Sequence, residues 1–366
     1  MLLLLSGLLK SNIQLNDAEL MDYNLLQRHT VEIYDLESHD CVLEKVKART
    51  LLKPQRFDLF AKLYYIRNIT SDPANATKVY QAHIKAFNPD GREPGRDDKD
   101  GVEDFVAAFD EIIEEFKSRD FDDTVSVVPV DKNGVILDGG HRVAALAFFD
   151  REVTIARFDD VESKCEFDYR YFLDRGLSWS ICDRIAHEMT LWVDNLLIAC
   201  LWPHMGNESA KKEACLRLSK LHNIVYTKKT NVNLKSLFHF VAEIYKNQSW
   251  THDSASVKDK ALRVLGNKSH EVWFVMFENN SSIDDIIEEK DRLRERYGST
   301  KDSLHITDNI EETRQIAALV LLPQGVSAWR VGVNDKPFVK LSEKWHYFKN
   351  VTWINMKSRI WQLLHG

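Results

Sequence analysis

Five consecutive residues of this chain could together bind an anion and move a proton. They lie in the stretch VILDGGHRVAAL and are Asp138, Gly139, Gly140, His141 and Arg142. We call these five residues the glycine turn. Glycine accepts positive φ angles and lets a ligand approach the main chain closely. A helix that begins at such a turn presents unpaired N–H groups and the positive end of its dipole to an anion. The combination predicts a phosphate site.

Three side chains would give this phosphate site its chemistry. Arg142 carries a planar guanidinium whose donors match phosphate oxygens, and His141 can donate to the same anion or transfer a proton. Asp138 can hold a metal ion or accept the proton of an attacking hydroxyl. The alternative is purely structural: Asp138 caps the helix, the glycines form a tight turn and Arg142 pairs with an acid.

A strand before the turn and a helix after it must position these side chains. TVSVVPV and VILD are expected to be two strands joined by the turn DKNG, in which Asn133 and Gly134 are a typical hairpin pair. HRVAALAFF predicts the helix, and EVTIARF predicts a further strand. Upstream, VEDFVAAFDEIIEEFKS has apolar residues at helical spacing. This part of the chain therefore predicts an α+β unit.

The stretch VPVDKNGVILDGGHRVAAL resembles the core of the ParB/sulfiredoxin superfamily. In that fold a hairpin strand leads into a G-x-H-R or G-x-R-R turn, which binds nucleotide phosphates at a helix N-terminus. The most similar pattern is the Asp-Gly-His-His-Arg motif of the free serine kinases. Four residues match this motif: Asp138, Gly139, His141 and Arg142. Its first histidine is replaced by Gly140.

The resemblance covers roughly residues 80–160 and implies ATP or ADP as the nucleotide. Mg²⁺ would accompany it at Asp138, because phosphoryl transfer needs its charge neutralised. Serine-kinase-like members also use an upstream glutamate as base. The candidate here is Glu93 in GREPGR, for which the alternative interpretation is an exposed charged loop. Sulfiredoxins place a cysteine in the turn, and this chain has none there, which argues against sulfinic acid reduction.

A second stretch, KDSLHITDNIEET, offers further candidates. A strand would place His305 and Thr307 on one face, with Asp308 at its carboxyl end, where ligands bind in parallel α/β sheets. The alternative makes His305 a core histidine and pairs Asp308 with Glu311 in a helix capping box. The basic residues of the preceding helix, Lys290 and Arg294 among them, are interpreted as a solvated face with Glu–Arg pairs.

The remaining patterns predict an α+β fold of four segments. RFDLFAKLYYIRN is expected to be an amphipathic helix, LWVDNLLIACLW a core helix, and KKEACLRLSKLHNIVYTKK a solvated helix face. HEVWFVMFE and SLHIT alternate with two helices, which is the pattern of a parallel strand pair. The segments are an N-terminal extension, a nucleotide-binding ParB/sulfiredoxin-like domain, a helical region and a C-terminal α/β domain, over 1–75, 76–160, 161–265 and 266–366.

Composition narrows the class of partner. The net charge of −7 argues against a dedicated nucleic-acid binder. Five cysteines without a C-x-x-C spacing predict neither a disulfide framework nor a zinc site, which favours a cytoplasmic protein. MLLLLSGLLK lacks the basic flank and cleavage site of a signal peptide, so a buried helix or a fragment boundary is expected there. The apolar segments are too short for a membrane span.

Three functions follow from these patterns. The first is a nucleotide-dependent phosphotransferase, kinase-like, that acts on a small hydroxylated acceptor; a nucleotide hydrolase is a variant of it. The second is a ParB-like nucleotide-binding switch or DNA-binding protein without small-molecule catalysis, against which the acidic charge counts. In the third, the glycine turn is only structural and the C-terminal segment carries a separate activity.

Overall fold

The computed structural model describes residues 21–92, 100–163, 166–298 and 301–333. Within them, thirteen α-helices accompany a three-stranded and a four-stranded sheet, so the predicted α+β class is confirmed. Glu93 and the N-terminal decapeptide lie outside the described residues. No helix in the described ranges is both long and apolar enough to cross a membrane.

The first sheet consists of β1 (Val42–Lys47), β2 (Val128–Val130) and β3 (Glu152–Arg157). Its middle strand is β3, which runs antiparallel to β1 and parallel to β2. Five helices belong to this part of the chain: α1 (Arg28–Tyr34), α2 (Phe57–Asn68), α3 (Pro73–Phe87), α4 (Val102–Ser118) and α5 (Gly140–Phe148). The predicted α4, α5 and β3 are thereby confirmed.

The hairpin before α5 is shorter than predicted. The main-chain N–H of Asp131 donates to the carbonyl of Val135 at 2.9 Å, and Gly134 has a φ of 72°, so the expected turn is present. The returning strand, however, is reduced to a single bridge between Val130 and Ile136. The chain leaves the extended conformation soon afterwards, because it must enter α5 through the positive φ of Gly139.

Helix α2 is buried around its whole circumference, which makes the expectation of an amphipathic helix wrong. All residues over 57–66 are buried, and the helix packs against α3 and α5. An all-apolar surface is the usual pattern for an interior helix, yet α2 carries Asp58 and Lys62 in its buried first turns. Both charged side chains line the cavity at the glycine turn.

The second sheet contains β4 (Leu196–Leu201), β5 (Asn223–Asn231), β6 (Glu271–Glu278) and β7 (Leu304–Ile306). Its order is β5-β6-β4-β7, and every neighbouring pair is antiparallel. The helices of this part are α6 (Tyr169–Asp174), α7 (Trp179–Trp192), α8 (Glu208–Leu218), α9 (Leu234–Ile244), α10 (Ser254–Leu265), α11 (Ile283–Tyr297), α12 (Ile310–Leu321) and α13 (Pro323–Trp329).

The predicted core helix over LWVDNLLIACLW is wrong. Helix α7 ends at Trp192, and the apolar run that follows is β4, an interior strand with all six residues buried. A short run buried on both faces has the same apolar pattern in a helix and in a strand, so periodicity alone does not separate them. The central position of β4 explains why every side chain in it is apolar.

The predicted parallel strand pair is also corrected by β4. Strands β6 and β7 do run in the same direction, since both are antiparallel to β4, but β4 lies between them. They therefore share no hydrogen bonds. The expectation assumed that consecutive strands are neighbours, whereas here a strand from earlier in the chain occupies the position between them.

The lysine-rich segment KKEACLRLSKLHNIVYTKK is not one solvated helix. Helix α8 ends at Leu218, and β5 begins at Asn223. Lys211 is fully buried and donates to the carbonyl of Gly206 at 2.9 Å, and Lys228 pairs with the buried Asp183 at 2.6 Å. Lysine stems cover apolar surface readily, which charge patterning alone does not reveal.

Candidate functional site

The glycine turn joins the end of the hairpin to helix α5. Gly139 is the N-cap residue, with a φ of 82° and ψ of 21°, a left-handed conformation that favours glycine. In the described part of the chain, no side chain caps α5. The structural alternative, in which Asp138 caps the helix, is therefore wrong, and the amides of the first turn keep the character of an anion site.

Asp138 and Arg142 lie one helical turn apart at the mouth of this site. Arg142 Nη2 is 3.5 Å from Asp138 Oδ2, and the two side chains are 21% and 20% exposed. The structural interpretation of Arg142 as the partner of a nearby acid is thus partly correct. A contact this long is a weak hydrogen bond, so it leaves both groups able to contact a ligand.

The imidazole of His141 is held by aromatic side chains of helices α3 and α4. Its Nε2 lies 2.8 Å from Tyr80 Oη, which is also 3.2 Å from the carbonyl of Phe105. The ring of Phe109 meets the imidazole edge-on at 4.9 Å. If Tyr80 donates its one hydroxyl proton to Phe105, its oxygen accepts a hydrogen bond from a protonated Nε2. Nδ1 is then the nitrogen that can accept a proton.

A buried cluster of charges lies directly against the turn. Arg56 binds the carboxylate of Asp58 in a bidentate manner, at 2.7 and 2.9 Å, and Lys62 Nζ adds a third contact at 2.8 Å. All three residues are at least 95% buried. Burial opposes the ionisation of Asp58, but the two cations outweigh it and hold the pKa of the carboxyl well below its usual range. The cluster therefore carries one net positive charge.

A side chain at Gly140 would crowd this cluster. A Cβ atom there would lie 3.3 Å from both Arg56 Nη2 and Asp58 Oδ2, closer than ordinary van der Waals contact with a pair fixed by burial. The serine-kinase motif has histidine at this position. In this chain the space for that side chain is taken by the Arg56–Asp58 pair.

His83 of α3 completes the inner wall. It is fully buried, and neither ring nitrogen has a hydrogen-bond partner among the described residues. Burial, with a smaller effect of the neighbouring Lys62, lowers the pKa of His83 to about 3. The imidazole is therefore neutral at physiological pH, with one donor and one acceptor not used by the described protein groups.

These groups surround one cavity of about 890 Å³, a volume within the range of ligand pockets. The whole glycine turn lines it, together with the charge cluster and His83. Aromatic side chains form much of the remaining wall, among them Phe87, Phe105 and Phe167. The cavity thus combines a cationic, hydrogen-bonding side with an apolar side that could take a planar ring.

Sequence reasoning missed the cationic cluster and His83. The sequence signal of the cluster was the pair Asp58 and Lys62, which lie four residues apart in a helix whose other positions are almost all apolar. The same spacing is also found on exposed helix faces, so the sequence alone did not show that the pair is buried. Nothing in the pattern around His83 distinguishes it from an ordinary core histidine.

The second group of predicted site residues is divided by the structure. His305 and Asp308 line a different cavity, which shares no lining residue with the first. Thr307 lies elsewhere, buried, with its hydroxyl 2.9 Å from the amide of Ile198 and 2.8 Å from Thr313 Oγ1. It does not share a face with His305 in a binding site, because β7 ends before it.

Two further expectations for this segment are corrected. Asn309, and not Asp308, caps α12, and its side chain accepts from the amide of Glu312. Lys290 is not on a solvated face: its side chain is 8% exposed and pairs with Asp308 at 2.5 Å. Lys290 is buried because α11 packs against β7, a contact that helical periodicity does not specify.

Comparisons with known proteins leave the family open, since no family model, curated protein or solved structure matches this chain. Among the described residues, no group of three or more histidines, cysteines or carboxylates could hold a metal ion. The function has to be argued from the geometry of the site.

Proposed function

We propose that this protein is a nucleotide-dependent phosphotransferase that binds the phosphates of ATP or ADP at the glycine turn. The observation that carries the proposal is the single cavity that joins the uncapped start of α5 to the buried cations. Arg56, Lys62 and Arg142, which lie in or against the glycine turn, bring three positive charges against the two carboxylates of Asp58 and Asp138. The rest of the lining adds Arg119 against Glu115 and Asp122, so the cavity as a whole is balanced. The local excess at the turn, added to the helix dipole, favours an anion.

The apolar wall of the cavity supports a nucleotide over a simple phosphate ion. Aromatic side chains such as Phe87 and Phe167 border the same space as the cations. A purine ring offers a flat apolar face to such a wall, while its phosphates reach the amides and Arg142. The two ends of a nucleotide thus correspond to the two sides of the cavity.

Asp138 fits the protein's part in holding Mg²⁺. This ion usually keeps several waters and takes only one or two carboxylates besides substrate phosphates, so a site without a larger ligand cluster is consistent with it. Asp58 is already bound by Arg56 and Lys62 and does not serve. When present, the ion would neutralise charge on the phosphates.

The transfer itself needs a group that accepts the proton of the acceptor hydroxyl. The carboxylate of Asp138 or Nδ1 of His141 serves, since both residues line the cavity. As the acceptor oxygen bonds to phosphorus, its proton moves to that group and the bond to the departing nucleotide oxygen breaks with its electron pair. Arg142 and the amides of α5 hold the phosphate oxygens during this step.

The test is phosphoryl transfer from radiolabelled ATP or ADP to a panel of serine, threonine and glycerol. With Asp138→Asn we expect transfer to fall by about a hundredfold or more, the size of a lost acid–base group. Asp120→Asn, at a carboxylate 86% exposed and paired with Arg151, is the matched control. Unchanged turnover of Asp138→Asn contradicts the assignment, and nucleotide binding without any transfer favours the ParB-like switch.

A further inference from the structure

A second cavity, of about 860 Å³, lies in the part of the chain that follows α9. Helices α10 and α11, strand β7 and the start of α12 contribute to its walls. Since it shares no lining residue with the nucleotide cavity, its ligand is independent of the function proposed above. The residues that matter here are Tyr245, Trp250, Ile287, Lys290, Arg294 and His305.

One part of the wall is apolar and suited to a ring. The rings of Tyr245 and Trp250 lie 5.5 Å apart, centre to centre. Ile283 and Ile287 of α11 also line the cavity and are 50% and 46% exposed. Large aliphatic side chains at that exposure leave apolar surface in contact with water, and a ring that covers it is stabilised by the hydrophobic effect.

The remaining wall carries an excess of positive charge. Five cations face four carboxylates across it: Lys260, Arg263, Lys290, Arg294 and Lys301 against Asp291, Asp302, Asp308 and Glu312. Lys260 and Lys290 are more than 90% buried as residues, so their charges lie in the wall itself. Four of the five pair with carboxylates of the same wall: Lys260 and Arg263 with Asp302, Lys290 with Asp308 and Arg294 with Asp291. The remaining excess of one positive charge favours an anion in this partly enclosed space.

Arg294 provides the most specific sign of a ligand. Its side chain is 16% exposed, and one of its terminal nitrogens donates to Asp291 at 3.1 Å. Its Nε is buried and has no hydrogen-bond partner among the described residues. A buried donor without a partner costs free energy. A guanidinium with donors left over is suited to two oxygens of one phosphate.

His305 lines the same cavity as Arg294 and brings a second nitrogen-bearing side chain to it. Its Nδ1 is 3.4 Å from Tyr245 Oη, and its Nε2 is 3.1 Å from Glu312 Oε1, without the angle of a hydrogen bond. A ligand oxygen that binds Nε2 must compete with the carboxylate of Glu312. The imidazole links the aromatic part of the wall to the charged part.

We propose that this cavity binds a phosphate monoester of a small ring compound. The ring packs against Tyr245, Trp250 and Ile287, and the phosphate oxygens receive hydrogen bonds from Arg294 and His305. Lys290 contributes charge from within the wall. The requirement for both parts follows from the wall itself, which is apolar on one side and cationic on the other.

The test is calorimetric titration of the full chain with three probes: phenyl phosphate, inorganic phosphate and phenol. We expect phenyl phosphate to bind at least about tenfold more tightly than either of the others, because only it uses both parts of the wall. Arg294→Gln should weaken phenyl phosphate about tenfold or more. Arg292→Gln is the control, since Arg292 lies on the same helix, is 62% exposed and pairs with Glu288 outside the cavity.

A second variant guards against misfolding. Ile287→Glu changes an exposed position, so the fold should persist, and its carboxylate should repel the phosphate and weaken binding about tenfold. Since the nucleotide cavity also pairs cations with an aromatic wall, phenyl phosphate is titrated into Arg142→Gln as well, where the binding event that Arg294→Gln weakens should persist. The proposal is overturned if phenyl phosphate binds no better than phosphate, if Ile287→Glu binds it normally, or if that event is lost in Arg142→Gln and kept in Arg294→Gln.

Discussion

Arg56 Nη1 donates a hydrogen bond of 2.5 Å to the main-chain carbonyl of Ile136. This contact ties the residue before α2 to the chain just ahead of the glycine turn, 80 positions later. The same guanidinium binds Asp58, so one side chain fixes both the buried charge and the backbone that leads into the first turn of α5. The stability of the fold and the geometry of the candidate site are therefore coupled through Arg56.

Replacing Arg56 should destabilise the protein strongly. In Arg56→Met the carboxylate of Asp58 stays buried with only Lys62 to balance it, and the carbonyl of Ile136 loses a donor. We expect a loss of about 3 kcal/mol in the free energy of unfolding, the scale for a broken buried ion pair, measured by urea denaturation.

The matched control is Arg28→Met. Arg28 also binds two carboxylate-bearing residues, Glu32 and Glu37, but its side chain is 70% exposed. An exposed pair contributes roughly 0–1 kcal/mol, so this variant should unfold almost like the wild type. Equal losses in the two variants would show that the buried cluster has no special role.

Gly139 should not tolerate a side chain. In Gly139→Ala the new Cβ lies 3.0 Å from Arg142 Nη2 at a φ of 82°, so both the backbone and Arg142 are strained. We expect a loss of about 1–2 kcal/mol in unfolding free energy. Gly101→Ser is the control: the atom nearest to a new Cβ is 3.6 Å away, φ is ordinary and serine is a preferred residue at this N-cap of α4, so it should not destabilise the protein. A Gly139→Ala variant as stable as Gly101→Ser would contradict the observed turn.

Acid should destabilise the protein through His83. Its pKa is about 3 in the fold against a reference value of 6.5, so the unfolded chain takes up the proton first. The stabilisation is complete above about pH 6.5 and is lost as the pH falls toward 3, by up to about 1.4 kcal/mol per pH unit. His187, whose pKa is lowered to about 4 by burial and by Arg67, acts in the same direction.

The variant that isolates this effect is His83→Phe. The aromatic neighbours Tyr80, Phe87 and Phe172 surround the position, so a phenyl ring is accommodated. Urea unfolding at a series of pH values between about 6 and 4 should show a shallower loss of stability, by nearly one proton. An unchanged slope would mean that His83 is not buried in its neutral form.

The sequence predicted the glycine turn better than its surroundings. Residues 138–142 are adjacent in the chain, so their grouping in one cavity needed only a strand, a turn and a helix. Arg56 and His83 reach the same cavity from α2 and α3, through tertiary contacts that no local pattern encodes. For the same reason β4 was taken for a helix: its place in the middle of the sheet is a long-range property.

Tyr80 should influence the glycine turn without contacting a ligand. Tyr80→Phe removes the hydroxyl that lies 2.8 Å from His141 Nε2, so the imidazole loses its orientation while the aromatic packing remains. We expect nucleotide affinity to fall about threefold to tenfold, close to the value of one hydrogen bond. Tyr65→Phe, which removes a hydroxyl bound to Asp110 at 2.7 Å, should leave affinity unchanged. Equal affinities in both variants would remove this role of Tyr80.

Thermal unfolding with ATP or ADP, with and without Mg²⁺, shows whether the glycine turn binds nucleotide phosphates. A nucleotide at a hundred times its Kd stabilises the fold by about 2.7 kcal/mol, which raises Tm. We expect this increase to be lost in Arg142→Ala and retained in His305→Ala. No increase with any nucleotide at millimolar concentration, or an equal increase in Arg142→Ala and wild type, would contradict it.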